Sequence, residues 1–130
     1  MSRRLLLDTH AFLWWIADAP RLSPAARKAI ADGANEVYLS AVSVWEMMIQ
    51  IGLGRLELPE DTESFLAQQL QQNAFRPLAM TLPHALGVRR LPPLHKDPFD
   101  RLLVAQARHE ELALVSGDAA VQRYPVEVIW

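Results

Sequence analysis

Four acidic residues, Asp8, Glu46, Asp100 and Asp118, fall at junctions beside short apolar runs. Asp8 closes the run Leu5-Leu6-Leu7, and Asp118 follows Ala113-Leu114-Val115. Glu46 is expected in the first turn of a helix after a strand, and Asp100 near the start of a helix that leads back to the sheet. In open α/β sheets, ligands bind beyond the carboxyl ends of the strands, so acids far apart in sequence meet there. Clustered carboxylates either share protons or bind cations. A donor set of oxygen alone suits a hard ion, Mg²⁺ or Mn²⁺. The chemistry implied is metal-dependent phosphodiester hydrolysis, in which one or two ions activate water and stabilise the leaving oxygen.

The elements that must position these acids follow from hydrophobic pattern and punctuation. Strands are expected at Leu5–Leu7, Val37–Leu39, Phe75–Met80, Ala113–Val115 and Val126–Ile129, with Pro77 marking an edge position. Helices are expected at Ala11–Ala17, from Pro24 (capped by Ser23) to about Gly33, at Val44–Ile51, Thr62–Asn73, Leu82–Val88 and Pro98–Glu111, with a short one at Ala119–Arg123. Leu53–Pro59 and Leu91–His95 read as connectors. Strands alternating with helices predict a parallel sheet of about five strands, covered on both faces.

Each acid also has a purely structural explanation. Ser43-x-x-Glu46 has the form of a capping box. Asp97-Pro98-Phe99-Asp100 supplies an N-cap, a first helical position and a first-turn acid, and Asp118 can cap the last short helix. Asp8 fits such a role least well, although it can cap the helix that follows it. Capping and metal binding are compatible, since helix N-termini offset repulsion between carboxylates.

Composition narrows the field. The 130 residues fit one domain, and 51% hydrophobic content argues against disorder. With no Cys, disulfides, zinc–thiolate sites and thiol catalysis are excluded. The net charge of −2 gives no basic footprint, so binding of nucleic acid would rest on local Arg and Lys plus metal. Arg3-Arg4 before the apolar run is a poor signal peptide, because Asp8 and His10 interrupt it, and Ala11–Ala17 is too short to span a membrane. A cytoplasmic protein is expected. Gly52-Leu53-Gly54 follows a helix and is no dinucleotide loop, and no P-loop is present.

The segments Leu-Leu-Leu-Asp-Thr-His, Ser-Ala-Val-Ser-Val-Trp-Glu, His-Lys-Asp-Pro-Phe-Asp-Arg-Leu-Leu-Val-Ala-Gln-Ala and Leu-Val-Ser-Gly-Asp resemble, in order, the motifs of PIN-domain ribonucleases, above all the VapC-type toxins of type II toxin–antitoxin systems. The resemblance spans nearly the whole chain. It implies a three-layer α/β/α sandwich with a parallel sheet over residues 1–130, Mg²⁺- or Mn²⁺-dependent endoribonuclease activity, a proteinaceous antitoxin partner and a homodimer. It makes Asp8, Glu46, Asp100 and Asp118 the catalytic, metal-binding acids. Thr9 and Ser116 become hydroxyl supports, and Asp97 an accessory acid better suited to an N-cap.

Arg101 and Lys96 flank the third acid and are candidate contacts to RNA phosphate, with Arg3, Arg4, Arg89 and Arg90 less well supported. Trp14, Trp15 and Trp45 lie in apolar helices and are expected in core or dimer contacts more than in base stacking. His10 and His95 read as loop or packing residues, and His84 and His109 carry no signal. Three other functions compete. A housekeeping PIN-type RNA-processing nuclease would share the site. A receiver-like Mg²⁺-dependent phosphoacceptor would need an acceptor Asp after the third strand, where Met80-Thr81 stands. A non-catalytic binding module would not need all four acids.

Overall fold

Five parallel strands in the order β3-β2-β1-β4-β5 run through the computed structural model, which describes residues 2–130. They are β1 (Arg4–Leu7), β2 (Glu36–Ser40), β3 (Arg76–Leu78), β4 (Ala113–Val115) and β5 (Val128–Ile129). Six α-helices occupy the connections: α1 (Thr9–Ile16), α2 (Pro24–Ala31), α3 (Ala41–Gly52), α4 (Thr62–Gln72), α5 (Leu82–Gly87) and α6 (Pro98–Glu110). The chain lays down β1, β2 and β3 in one direction, then returns to place β4 and β5 on the other side of β1. The point where strand order reverses therefore lies between β1 and β4, and parallel sheets of this kind offer a crevice there.

Side chains alternate across a strand, so a strand that is apolar throughout must be buried on both faces. Leu5 and Leu7 join Phe12, Ala26, Ile30, Leu39 and Val115 in one core. Leu6 joins Val42, Leu103, Val104 and Leu114 in the other. These two cores make the three expected layers. Among the described residues, no helix is long and apolar enough to cross a membrane.

The elements differ from expectation at their ends, for local reasons. α1 begins at Thr9 instead of Ala11, because Asp8 is its N-cap. α3 begins at Ala41 instead of Val44, because Ser40 caps it through a bond from the Val42 N–H. The expected capping box of Ser43 and Glu46 therefore does not form, and Glu46 lies in the second turn of α3, not the first. β3 keeps only Arg76–Leu78, with Pro77 on an edge strand as expected. β5 starts at Val128, because the Val126 N–H turns back to Tyr124 O. α6 stops at Glu110, since Glu111 takes a left-handed conformation with φ of 58°. The last short helix is reduced to a 3₁₀ turn, Val121–Arg123.

A buried polar chain ties β2 to α5 and α6. Ser40 Oγ donates to Gln106 Oε1 at 2.5 Å, and Gln106 Nε2 lies 3.3 Å from His84 Nδ1. His84 is fully buried and caps its own helix, accepting the Thr81 N–H on Nδ1 at 3.1 Å. Its Nε2 meets Glu110 Oε2 at 2.9 Å, which holds the Glu110 carboxyl below the usual carboxylate range. His84, unremarkable in sequence, is thus part of the scaffold. Truncating Gln106 would strip partners from two buried polar groups and leave a cavity. We expect Gln106→Ala to lower unfolding free energy by about 2–4 kcal/mol in urea denaturation, against almost no change for a surface glutamine such as Gln72.

Candidate metal centre

Asp8 sits at the crevice beyond β1, only 5% exposed. Its Oδ1 accepts the Ala11 N–H at 2.7 Å, so this oxygen starts α1. Burial pushes the Asp8 carboxyl above the ordinary value. Hydrogen bonds from Ser116 and Ala11 pull it back, while Asp118 adds repulsion. The neighbouring Thr9 is buried and donates its hydroxyl to Glu46 Oε1 at 2.6 Å, which links the end of β1 to α3. Because Glu46 lies in the second turn of α3, it has no capping duty.

Asp97 is the N-cap of α6 and accepts the Phe99 and Asp100 N–H groups at 2.9 and 3.1 Å. Asp100, in the first turn, is strongly perturbed as well. Its carboxyl is pushed up to about 8, first by burial and then by the charges of Asp97, Asp8, Asp118 and Glu46. That list names every acid singled out in sequence, and they repel one another around Asp100. Asp118 is the most exposed member. Its Oδ1 accepts the Ala120 N–H at 2.8 Å, and its own N–H reaches Ser116 Oγ at 3.2 Å. The expected helix-capping role of Asp118 thus becomes a turn ahead of the 3₁₀ segment.

Carboxylates buried against each other, with raised proton affinity, fit a hard divalent cation, which would relieve both penalties. A different trio, His84, His109 and Glu110, has ligating atoms within 4.8 Å of one another. It fits a cation poorly. Nδ1 of His84 accepts a backbone N–H, so Nε2 must carry the proton and donate to Glu110. Glu110 also stands ten residues along α6 from Asp100, roughly 15 Å away.

The basic and aromatic surroundings differ from expectation. Arg101 does not face the site as a free cation. Its Nη1 donates to Pro92 O and Tyr124 Oη, both at 2.9 Å, and its Nη2 donates to Val88 O at 3.3 Å. Arg3 is bonded to Glu127, and Arg4 bonds Glu110 O at 2.8 Å, both at the start of β1 and away from the acids. Lys96 is exposed next to Asp97. A cleft of about 220 Å³ is lined by Asp8, His10, Trp14, Arg21, Gly117 and Asp118. Trp14 stacks on His10, and the Arg21 guanidinium lies 4.8 Å from its ring centroid. Sequence reasoning passed over Arg21, because nothing local marks a loop arginine that the fold returns to an acid thirteen residues earlier. Gly117 is required here, as a Cβ would come within 2.4 Å of Trp130.

Residues 5–127 match the family model described as the PIN domain. The chain is 35% identical over 130 residues to Ribonuclease VapC22 of Mycobacterium tuberculosis, covering 97% of this chain and 98% of that protein. It is 33% identical over 69 residues to Ribonuclease VapC16 of the same organism, about half of each chain. Among solved structures it is similar to VapBC2 from Rickettsia felis bound to a promoter DNA fragment (TM-score 0.71, 18% identity, 96% of each chain). It is likewise similar to DNA-bound VapBC from Salmonella typhimurium (TM-score 0.70, 15% identity, 97% and 96% of the chains).

The raised Asp100 carboxyl yields a signed expectation for the protein without metal. Asp100 ionises near 3.8 when unfolded and near 8 when folded, so the folded state holds an extra proton between those values. The contribution of Asp100 to stability is then greatest below about pH 4, falls as pH rises towards 8, and is flat beyond it. Asp100→Asn should raise the Tm of metal-free protein at pH 8 by several degrees and flatten this slope. Scanning calorimetry in EDTA across pH 4–9 measures both.

Proposed function

This chain belongs to the PIN-domain family, and on that footing we propose that it is a divalent-metal-dependent endoribonuclease acting as the toxin of a type II toxin–antitoxin pair. The observation that carries the reading is the repulsion gathered on Asp100 by Asp97, Asp8, Asp118 and Glu46. A fold that keeps such a set without apolar replacement has a use for a cation there. Asp8, Glu46, Asp100 and Asp118 would hold it, and their oxygen donors favour Mg²⁺ or Mn²⁺. When bound, the ion supplies Lewis acidity towards water and phosphate and neutralises charge at the cleaved bond.

The protein's own residues do the positioning. Thr9 fixes one oxygen of Glu46. Ser116 steadies Asp8 and the turn that carries Asp118. Asp97 holds the start of α6, so that Asp100 faces inward. RNA needs a cationic guide past this acidic surface, because the whole chain offers no positive charge excess. Arg21, on the rim of the cleft with Asp8 and Asp118, is placed to contact phosphate, and exposed Lys96 is a second candidate.

A protein partner is supported by the apolar surface. Leu82 and Leu86 lie one turn apart on α5 and are 73% and 63% exposed, and Trp45 on α3 is 55% exposed. Large apolar side chains left this exposed are costly in water and suit burial against an antitoxin or a second copy of the chain.

Purified protein free of antitoxin should cut RNA with Mg²⁺ or Mn²⁺ and not with EDTA. Asp8→Asn keeps a good helix cap, so it should fold normally while losing at least about 100-fold in cleavage rate, beyond what an outer contact is worth. Undiminished cleavage would remove Asp8 from the site. Arg21→Ala should act differently, raising KM roughly three- to tenfold with kcat little changed, since it removes a binding contact and no reacting group.

A further inference from the structure

His95 stands in the loop before α6 with both ring nitrogens near a polar group. Nδ1 lies 2.7 Å from Tyr124 Oη, and Nε2 lies 3.5 Å from Asp100 Oδ2. Nε2 is buried and makes no hydrogen bond, beyond that long approach to the carboxylate. The direction of the chain follows from donor chemistry. A guanidinium only donates, so Tyr124 Oη accepts from Arg101 Nη1 at 2.9 Å. The phenol is buried, and its own proton finds an acceptor in His95 Nδ1. With Nδ1 accepting, the neutral ring carries its proton on Nε2, which faces Asp100.

We propose that His95 is a positioning residue: held by Tyr124 and Arg101, it presents Nε2–H to Oδ2 of Asp100 and fixes the orientation in which that carboxylate meets a cation. This rests on the metal-site reading above. Carboxylates that bind metal are themselves oriented by outer hydrogen bonds, and a neutral N–H donor can supply one without competing with the ion for charge. The simpler role, fastening the loop Leu91–Asp97, accounts for the contact with Tyr124 and for the bonds from Arg101 to Pro92 O and Val88 O. It leaves unexplained why a buried donor is aimed at Asp100 Oδ2 and at nothing else.

Mn²⁺ binding by calorimetry on the intact chain tests this, with wild type, His95→Ala, His95→Gln, Tyr124→Phe and Asp8→Asn side by side. His95→Ala should weaken Kd for Mn²⁺ by about 10–100-fold, the range usual for outer partners of a metal ligand. His95→Gln, whose amide can still donate towards Asp100, should recover most of that loss. Tyr124→Phe keeps the ring packing but frees Nδ1, and should fall between them. Long-range ¹H–¹⁵N spectra of metal-free wild type should show the Nε2–H tautomer, and Tyr124→Phe should show a mixture. An Nδ1–H tautomer in wild type overturns the proposal even if a variant fails to fold. Variants that lose thermal stability but bind Mn²⁺ within threefold of wild type also overturn it, leaving a loop fastener. Wild type that binds no Mn²⁺, like Asp8→Asn, would instead sink the metal-site reading and the proposal with it.

Discussion

Repulsion between carboxylates at the crevice between β1 and β4 is the constraint that the surrounding structure answers. Two like unit charges 4 Å apart repel by about 4 kcal/mol at an effective dielectric of 20. Here Asp100 faces four other acids while largely withdrawn from water. The answer is distributed: Asp8 and Asp97 each engage one oxygen at a helix N-terminus, where backbone N–H groups and the helix dipole favour negative charge. Glu46 is held by a hydroxyl, and Asp118 is left at the surface, where water screens it. Part of the burden is met by protonation, as the raised Asp100 carboxyl shows.

The same constraint explains why the scaffold on the other side of α6 is so fully bonded. α6 carries Asp100 in its first turn, Gln106 in its middle and Glu110 at its end. Gln106 is tied to Ser40 at the end of β2, and Glu110 to His84 on α5. Arg101 clamps the approach to the helix from Val88 and Pro92. A helix fixed at three levels cannot swing its first turn away from the acids that repel it. Packing alone, which is not directional, would resist that swing less well.

Much of this could be read from the sequence, and the remainder has identifiable causes. The strands and the order of the acids were legible because an apolar run buried on both faces must end in a polar junction, and Asp8 and Asp118 stand at two such ends. The sequence alone leaves the start of α3 open, because Ser40 and Ser43 are equally good caps. What decides between them is that Ser40 Oγ also meets Gln106, 66 residues away. The same ambiguity conceals that Glu46 has no capping duty. The bonding of Arg101 is hidden for a similar reason, since its carbonyl partners, Pro92 and Val88, meet it only when the chain is folded. Trp14 and Arg21 form a pair at the rim through the fold's return of α1 and its following loop to Asp8, which no local pattern encodes.

The half-buried first-turn position of Asp100 also sets how this chain can drift. Aspartate and asparagine codons differ by a single base, and asparagine fills the same volume without the charge. That change therefore relieves the folded, metal-free chain instead of burdening it, reversing the usual penalty of a substitution in a packed site. Folding exerts no pull to keep the acid. On the proposed metal-site reading, copies released from the demand for catalysis would therefore slide towards quiet, better-folded forms.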